Sequence, residues 1–327
     1  MIPAILRASR WLLEFPYTAA VCWRNRQYDS GRRTIHQAGV PVVSVGNLTM
    51  GGTGKTPFVQ WLARWFRKQN VRVAVVSRGY GAEAGSANDE ALQLERNLPD
   101  VPHLENPDRV DAARVAVEEL DTQLILLDDG FQHRRLARDL DVVLLDATEP
   151  FGWRHVCPRG MLREPISGLR RADVIALSRA DCASDSDKQA LREEVRRIHP
   201  AATWVELAHV PTRLINASQD EQSLDFLNGR KVAAFCGIGN PAAFARTLDD
   251  LGCRATEFRE FDDHHAYQTS DIEDLTRWAE QQQVEAVLCT EKDLVKLELD
   301  HLGDVPLWAV AVETGVLAGE ADLEALL

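Results

Sequence analysis

A glycine-rich turn after a short apolar stretch carries the residue types that bind polyphosphates. Val42 to Pro57 reads Val-Val-Ser-Val-Gly-Asn-Leu-Thr-Met-Gly-Gly-Thr-Gly-Lys-Thr-Pro. Glycines let backbone N–H groups approach phosphate oxygens, a lysine reaches the outer phosphates, and a threonine hydroxyl holds Mg²⁺ where a helix begins. We predict a nucleotide site made of Thr49, Gly51, Gly52, Thr53, Gly54, Lys55 and Thr56, with Thr49 at the position of the motif's usual first glycine.

A pair of carboxylates follows a second apolar stretch. Leu124 to Leu127 is followed directly by Asp128 and Asp129. In nucleoside triphosphate enzymes an acid at the end of such a strand holds Mg²⁺ or its waters. We therefore predict both acids at the metal end of the site. The segment 131–135 after them either orients these acids or caps the next element.

Three further loops carry charged residues with two possible roles each. Arg78 follows the next apolar stretch and belongs either to a plain glycine turn or to the wall of a substrate site. Asp89 lies in an acidic cluster that is either solvated or supplies the carboxylate that accepts a hydroxyl proton near the γ-phosphate. Arg163 either neutralises charge on the transferred phosphoryl group or forms a surface salt bridge with Glu164.

The segment Phe261–Tyr267 combines two carboxylates with two imidazoles. Since no cysteine or third histidine stands at metal-ligand spacing, an orienting role is preferred over a zinc site. Three other segments give only weak signals: 237–241 is an incomplete dinucleotide motif, 178–181 is a poor base-reading loop, and 290–293 reads as a helix cap.

Composition limits the class of protein. The 327 residues predict more than one domain, and 45% hydrophobic residues are typical of globular folding. The net charge of -13 argues against nucleic acid as a partner, because a binder of nucleic acid needs a basic surface. Six scattered cysteines without a C-x-x-C pair indicate a reducing compartment.

The first 35 residues are apolar and basic together. Arginines, Glu14 and Pro16 interrupt the apolar runs, so the segment is too broken to span a bilayer, and it lacks the pattern of a signal peptide. Two alternatives stay open. The segment is either a helix packed on its own domain or a helix lying in the plane of a membrane surface.

Short apolar runs alternating with helical periodicity predict an α/β fold, a P-loop-containing parallel sheet covered by helices on both faces, with a second smaller α/β domain. We expect an N-terminal segment 1–35, a P-loop domain 36–210 and a smaller domain 211–327, with the boundary near residues 208–216. The predicted strands are 71–77, 124–127, 142–145, 174–178, 232–236, 255–261, 286–290 and 307–312. The predicted helices include 111–120, 187–198, one from about Pro241, and 271–283.

Taken in order along the chain, these motifs resemble those of the tetraacyldisaccharide 4'-kinases (lipid A 4'-kinases) of Gram-negative bacteria. Thr49 in place of a glycine is a feature of that family. Two positions depart from its pattern: Asn88 stands for the usual glycine with Ala91 for a proline, and Met161 stands for a proline. The matching segments are 46–57, 77–81, 88–90, 107–109, 128–134, 162–165, 263–267 and 290–293.

The resemblance implies ATP-dependent phosphorylation of the 4′-hydroxyl of a tetraacylated glucosamine disaccharide 1-phosphate, with ATP and Mg²⁺ as cofactors. It implies Asp89 as general base, with His264 as its orienting partner, and it matches Lys55 and Thr56 to the nucleotide and Mg²⁺ positions. It further implies Arg163 as a catalytic cation, Glu164 beside the metal acids Asp128 and Asp129, and Arg78, Asn88 and Arg109 on the substrate side.

The same resemblance implies a peripheral protein at the cytoplasmic face of the inner membrane, with residues 1–35 reaching the lipid substrate and no obligate protein partner. Because Asp89 and His264 fall in different predicted domains, we expect activity to require domain closure. The competing hypothesis is a membrane-associated P-loop switch or assembly ATPase, and a non-enzymatic lipid-binding protein is a more distant third. Neither explains an acidic loop at Asp89 together with a histidine pair.

Overall fold

The computed structural model describes residues 4–79, 89–253, 255–263 and 265–327, with the backbone alone for residues 4–12, 89 and 90. The helices are α1 (Ala4–Asp29), α2 (Lys55–Lys68), α3 (Asp89–Asn97), α4 (Arg109–Leu120), α5 (Asp185–Ile198), α6 (Pro241–Asp250), α7 (Thr269–Gln282), α8 (Glu291–Leu297) and α9 (Glu320–Glu324). The strands are β1 (Val42–Asn47), β2 (Val73–Ser77), β3 (His103–Glu105), β4 (Leu124–Asp128), β5 (Leu140–Asp146), β6 (Val174–Ser178), β7 (Thr203–Ile215), β8 (Glu221–Gln222), β9 (Val232–Cys236), β10 (Phe258–Glu260), β11 (Ala286–Thr290), β12 (His301–Leu302) and β13 (Val305–Ala318).

The chain divides into two compact units whose limits differ from the predicted domains. The first unit holds Met1–Gly81, Leu98–His209 and Thr314–Leu327, and the second holds Ala82–Asn97 and Val210–Glu313. Both β7 and β13 begin in one unit and end in the other. The predicted boundary near residues 208–216 therefore lies within a strand, and the chain after residue 313 returns to the first unit.

The first unit contains a parallel sheet in the order β7-β6-β5-β1-β4-β2-β3. Every residue of β1, β2, β4, β5 and β6 is buried, as expected for parallel strands covered on both faces. Ala112 and Ala113 of α4 pack with Val76 and Ile125, whereas Val195 of α5 packs with Ile175 in a separate cluster. The predicted α/β class is confirmed.

The second unit has its own parallel strands in the order β10-β9-β11-β13. Alternate residues of β9 enter different cores: Phe235 packs with α7 and α8, and Ala234 packs with α6. Helix α3 also packs on α8, and Asn97 Nδ2 donates to Glu291 Oε2 at 2.8 Å. The smaller α/β unit is therefore as predicted, except that it also contains α3.

Helix α1 packs through one face. Val21 and Tyr28 are buried, while Phe15 is 79% exposed and Trp23 is 59% exposed. Arg134 ties the end of the helix to the first unit, donating to Asn25 O at 2.9 Å and pairing with Asp29 at 2.7 Å. In the described part of the chain, none of the helices combines the length and the apolar character that crossing a membrane requires.

Candidate functional site

The turn between β1 and α2 has the backbone geometry of a phosphate cradle. Gly51 and Gly54 adopt φ values of 103° and 82°, which lie in the region that favours glycine. Gly54 is the N-cap of α2 and makes no side-chain cap, so the first N–H groups of the helix are not satisfied by a cap. A Cβ at Gly52 would meet nothing within 4 Å. These features fit a polyphosphate held at a helix N-terminus.

Side chains next to the turn hold its shape. Asn47 Nδ2 donates to Thr53 Oγ1 at 3.0 Å and to Gly51 O at 3.4 Å. Thr56, in the first turn of α2, is 8% exposed. The predicted nucleotide residues from Gly51 to Thr56 are therefore brought together in one short, internally bonded segment, as the motif requires.

Thr49 lies on the side of this turn that faces another loop. It forms an isolated β-bridge with Leu162, and the neighbouring backbone bonds are Met50 N to Met161 O and Arg163 N to Leu48 O, both 2.7 Å. This pairing places the loop that carries Arg163 directly beside the phosphate turn. The described contacts of Thr49 thus connect two loops, and its contact with nucleotide stays a prediction.

A carboxylate between two cations lies next to the turn. Arg163 Nη1 lies 2.7 Å from both Asp129 oxygens, and Lys55 Nζ lies 3.5 Å from Asp129 Oδ1. Burial alone raises the pKa of the Asp129 carboxyl, but the charges of Lys55 and Arg163 outweigh burial and hold the pKa below its usual value. Arg163 therefore pairs with Asp129, which neither of the two alternatives for its loop included.

Asp128 ends β4 immediately beside β1, and it is 3% exposed. The register pairs it with Val45, and its Oδ1 accepts a hydrogen bond from Asp129 N at 2.9 Å. This position at the carboxyl edge of the sheet is the one predicted for the acid that holds Mg²⁺. The described residues contain no group of three or more His, Cys, Asp or Glu side chains that could hold a metal ion by themselves. A metal here would accordingly need phosphate oxygens as further ligands.

Glu164 is a buried carboxylate with hydrogen bonds to three other segments. Its side chain is 1% exposed, and it accepts hydrogen bonds from Arg171 at 2.9 Å, from Gln132 at 3.1 Å and from Asn25 at 2.9 Å. Gln132 Nε2 also donates to Asn47 O at 2.9 Å. The carboxylate thus joins α1, the acid-bearing loop and the phosphate turn. These contacts support a structural role for Glu164, and its role beside the metal stays a prediction.

Arg109 and His133 form a buried pair near the two acids. Arg109 Nη1 donates to His133 Nδ1 at 3.1 Å, and Arg109 is 7% exposed. Burial, with the charges of Arg109, Arg138 and Arg135, lowers the pKa of His133 to about 4, whereas Asp108 raises it. Since an arginine only donates, His133 is neutral and carries its proton on Nε2. His133 therefore orients Arg109 and not an acid.

We expect the stability of the protein to fall as the pH decreases from about 6.5 to about 4. His133 and His209 both have a folded-state pKa lowered to about 4 from the ordinary 6.5. In that window the unfolded chain binds protons that the folded chain does not, so protonation favours unfolding. Thermal unfolding midpoints across this pH range measure the slope. A double variant, His133→Gln with His209→Gln, should flatten it, and an unchanged slope would contradict the two pKa directions.

Three predicted site groups cannot be placed. Asn88 and His264 lie outside the described residues, as does the side chain of Asp89. The backbone of Asp89 begins α3, which belongs to the second unit. The prediction placed residue 89 in the first domain, whereas it belongs to the second unit, in which α3 packs on α8. Arg78 follows β2, and its charge adds to burial in lowering the pKa of Arg109.

One buried carboxylate, Asp293, joins three loops of the second unit. Asp293 is fully buried and accepts hydrogen bonds from Gly237 N at 3.0 Å, Tyr267 Oη at 2.9 Å and Thr290 Oγ1 at 2.6 Å. The weak segments 237–241 and 290–293 are thus joined to the segment 261–267 through one carboxylate, although residue 264 itself is not described. Each follows a strand, and that shared position is the signal that would have grouped them.

Comparison with known proteins gives a consistent family. The family model described as tetraacyldisaccharide-1-P 4'-kinase (LpxK) matches residues 6–327. The tetraacyldisaccharide 4'-kinase of Anaeromyxobacter dehalogenans is 42% identical over 343 residues, covering 99% of this chain and 90% of that protein. The protein of the same name from Halothermothrix orenii is 34% identical over 345 residues, covering 95% of this chain and 89% of that protein.

A solved structure agrees over the same span. The "apo" form of LpxK from Aquifex aeolicus, in complex with ATP, matches with a TM-score of 0.76 at 30% sequence identity, covering 98% of each chain. The family resemblance of the motifs, the phosphate cradle and these matches lead to one conclusion. The chain belongs to the tetraacyldisaccharide-1-P 4'-kinase family.

Proposed function

We propose that this kinase transfers the γ-phosphoryl group of ATP to the 4′-hydroxyl of a tetraacylated disaccharide 1-phosphate. The single observation that carries the assignment to this chain is the Lys55–Asp129–Arg163 cluster beside a glycine-rich cradle. Phosphoryl transfer is mainly positioning and charge neutralisation, and this cluster places two cations where the transferred group would lie. The family match and the ATP complex of the Aquifex aeolicus structure support the choice of donor and acceptor.

The donor side uses residues of the first unit. The N–H groups from Gly52 to Thr56 bind phosphate oxygens, and Lys55 neutralises the outer phosphates. Thr56 and Asp128 are the residues that would hold Mg²⁺, because both lie buried at the mouth of the cradle. When bound, Mg²⁺ would offset the negative charge that develops on the transferred phosphoryl group.

The acceptor side combines residues of the second unit with Arg78 and Arg109 of the first unit. Asp89 at the start of α3 accepts the proton of the 4′-hydroxyl as its oxygen attacks the γ-phosphorus, the bond to the β–γ bridging oxygen breaks, and ADP leaves. His264 orients that carboxylate, and Asn88, Arg78 and Arg109 bind the phosphorylated disaccharide. Positions 89 and 264 both fall in the second unit, so the expectation of domain closure, which rested on their lying in different domains, loses that premise.

The lipid substrate is reached through α1 at a membrane surface. The exposed Phe15 and Trp23 lie on the side of α1 away from the buried Val21 and Tyr28, and Arg26 is exposed near the end of the helix. Aromatic rings at headgroup depth with a nearby arginine suit a helix lying in the plane of an anionic surface. This placement favours the in-plane alternative, with the protein peripheral at the cytoplasmic face of the inner membrane.

We expect the Phe15→Ser, Trp23→Ser double variant to bind anionic phospholipid vesicles at least roughly tenfold more weakly, since burying a large apolar side chain contributes about 1.5–3 kcal/mol. Co-sedimentation with vesicles of phosphatidylglycerol and phosphatidylethanolamine measures the partition coefficient. Leu120→Ser is the matched control, because Leu120 is 42% exposed on α4. Equal binding by the double variant and the control would refute a membrane role for this face.

The competing function, a P-loop switch or assembly ATPase, differs in where the phosphate goes. ATP labelled in its γ-phosphate is supplied with a detergent-extracted tetraacylated disaccharide 1-phosphate, and the label is followed into lipid and into inorganic phosphate. We expect label in the lipid and little ATP turnover when the lipid is omitted. Label released only as inorganic phosphate would support the ATPase and contradict the kinase.

A further inference from the structure

Arg179 makes an unusual contact with the phosphate turn. It directly follows β6, and its Nη1 and Nη2 both lie 3.3 Å from the carbonyl oxygen of Gly52. The residue has a φ of 52°, in the left-handed region that non-glycine residues rarely adopt. The left-handed backbone of Arg179 thus places its guanidinium against a backbone carbonyl of the phosphate turn.

The guanidinium is fixed by a carboxylate on the neighbouring strand. Asp146 ends β5, and its Oδ2 accepts a hydrogen bond from Arg179 Nη1. Its Oδ1 accepts from Thr148 N at 2.9 Å and from Thr148 Oγ1 at 2.7 Å. Both side chains of the pair are nearly buried, with 12% of Arg179 and 11% of Asp146 exposed. Three hydrogen bonds within the chain thus orient the Asp146 carboxylate, so the arginine paired with it has little freedom.

A histidine holds the other end of the same segment. A Cβ added to Gly54 would lie 2.5 Å from His209 Nε2, so the ring of His209 packs against the backbone there. Burial and the charge of Arg179 lower the pKa of His209 to about 4, whereas Asp146 raises it. A neutral ring can contact the turn without competing with Lys55 for phosphate. Gly52 and Gly54 are therefore each held from outside the cradle.

The peptide geometry links this contact to ATP. The peptide bond between Gly52 and Thr53 is trans. In a planar trans peptide the carbonyl oxygen and the following N–H point in opposite directions. When Arg179 holds the Gly52 oxygen on one side, the N–H of Thr53 points away from Arg179, to the opposite side of that peptide.

We propose that Arg179 is a positioning residue for the nucleotide: by holding the Gly52 carbonyl, it directs the Thr53 N–H toward the β- and γ-phosphates of ATP. The role rests on nucleotide binding by this kinase and extends it to a residue outside the phosphate motif. The alternative role is that of an ordinary buried ion pair, which stabilises the fold and affects both substrates alike.

The test compares Arg179→Gln and Arg179→Lys with Arg114→Gln, whose arginine is about half exposed in ion pairs on α4. ATP affinity is measured by calorimetry without lipid, and KM for ATP and for lipid by label transfer. We expect Arg179→Gln to weaken ATP binding and raise KM for ATP about tenfold, with KM for lipid and the unfolding midpoint near those of the wild type. Arg179→Lys should restore part of the affinity, since the charge remains but the fork is lost.

Other outcomes overturn the proposal. Unchanged ATP affinity in Arg179→Gln would show that the carbonyl contact does not matter, and equal changes for ATP and lipid with a lower unfolding midpoint would show a structural role. If Arg179→Gln does not fold, Asp146→Asn replaces it, because that change frees the guanidinium without removing it, and it must then weaken ATP binding selectively. A wild-type chain that does not bind ATP in the calorimeter would instead refute the proposed function.

Discussion

Lys55→Ala is expected to reduce kcat/KM by at least about 10³-fold, the scale seen when a cation or donor at a transferring group is removed. Lys55 is the first residue of α2, and its side chain is 12% exposed beside Asp129. Its removal takes away positive charge where the γ-phosphoryl group would lie. It also removes one of the two cations beside Asp129 and leaves Arg163 as the other, so the pKa of the Asp129 carboxyl should rise. Initial rates of label transfer at saturating lipid measure the effect.

A lysine of similar surroundings provides the control for Lys55. Lys188 lies 3.1 Å from Glu206 and 3.0 Å from Asp185, and its side chain is 18% exposed in the same unit. Lys188→Ala should keep kcat/KM close to that of the wild type. A folded Lys55→Ala protein that retains more than about a tenth of the wild-type rate would contradict the donor site, given the expected scale of the loss.

The second large effect is expected from Asp89→Asn. Loss of a general base lowers rates by about 10²- to 10⁴-fold, and we expect that loss in kcat with the KM for ATP nearly unchanged. Asparagine keeps the size of the residue that begins α3, so the helix itself should persist. Asp89→Ala should lose as much activity, and it tests the same role without a polar group.

Glu95 provides the control on the same helix. Glu95→Gln removes a carboxylate from α3 and should leave kcat within about threefold of the wild type, since surface substitutions away from a site have small effects. His264→Ala is expected to lower kcat less than Asp89→Asn and to shift the acidic limb of the pH–rate profile, because it orients the base. Undiminished kcat in Asp89→Asn would remove Asp89 from the mechanism.

Much of the fold follows from continuous apolar runs. Strands β6, β9 and β11 have the predicted bounds, and β2, β4 and β5 differ from their predicted bounds by one to three residues in total. These strands are buried on both faces, so their sequences are apolar without alternation and end at turn residues. Pro241 marks the start of α6 in the same direct way, because proline is favoured in the first turn of a helix.

The limits of the two units were less accessible to sequence. Residues 203–215 include glutamate, histidine, arginine and Pro211, so β7 has neither a continuous apolar run nor alternation. Helix α3 is short and polar, and its packing on α8 depends on residues almost 200 positions apart, such as Asn97 and Glu291. Sequence periodicity reports local structure and does not report such long-range contacts.

The site shows the same division. The glycines, Lys55 and the two acids can be proposed from sequence because their spacing is set by the phosphate chemistry itself. Arg179 was passed over because its function depends on the left-handed backbone and on Asp146, which no motif encodes. Glu164 was assigned to a metal from the resemblance, whereas its contacts with Arg171 and Asn25 depend on packing between distant segments.

We propose that the γ-phosphoryl group of ATP is transferred to the 4′-hydroxyl of a lipid disaccharide and to no other hydroxyl. Two-dimensional ¹H–³¹P NMR of the purified product identifies the proton next to each phosphorus. The wild-type enzyme should give one new phosphate ester coupled to H4′, with the anomeric phosphate unchanged and ADP formed in equal amount, and Lys55→Ala should give none. A new phosphorus coupled to any other sugar proton, or ADP formed without a lipid ester, would contradict the assignment.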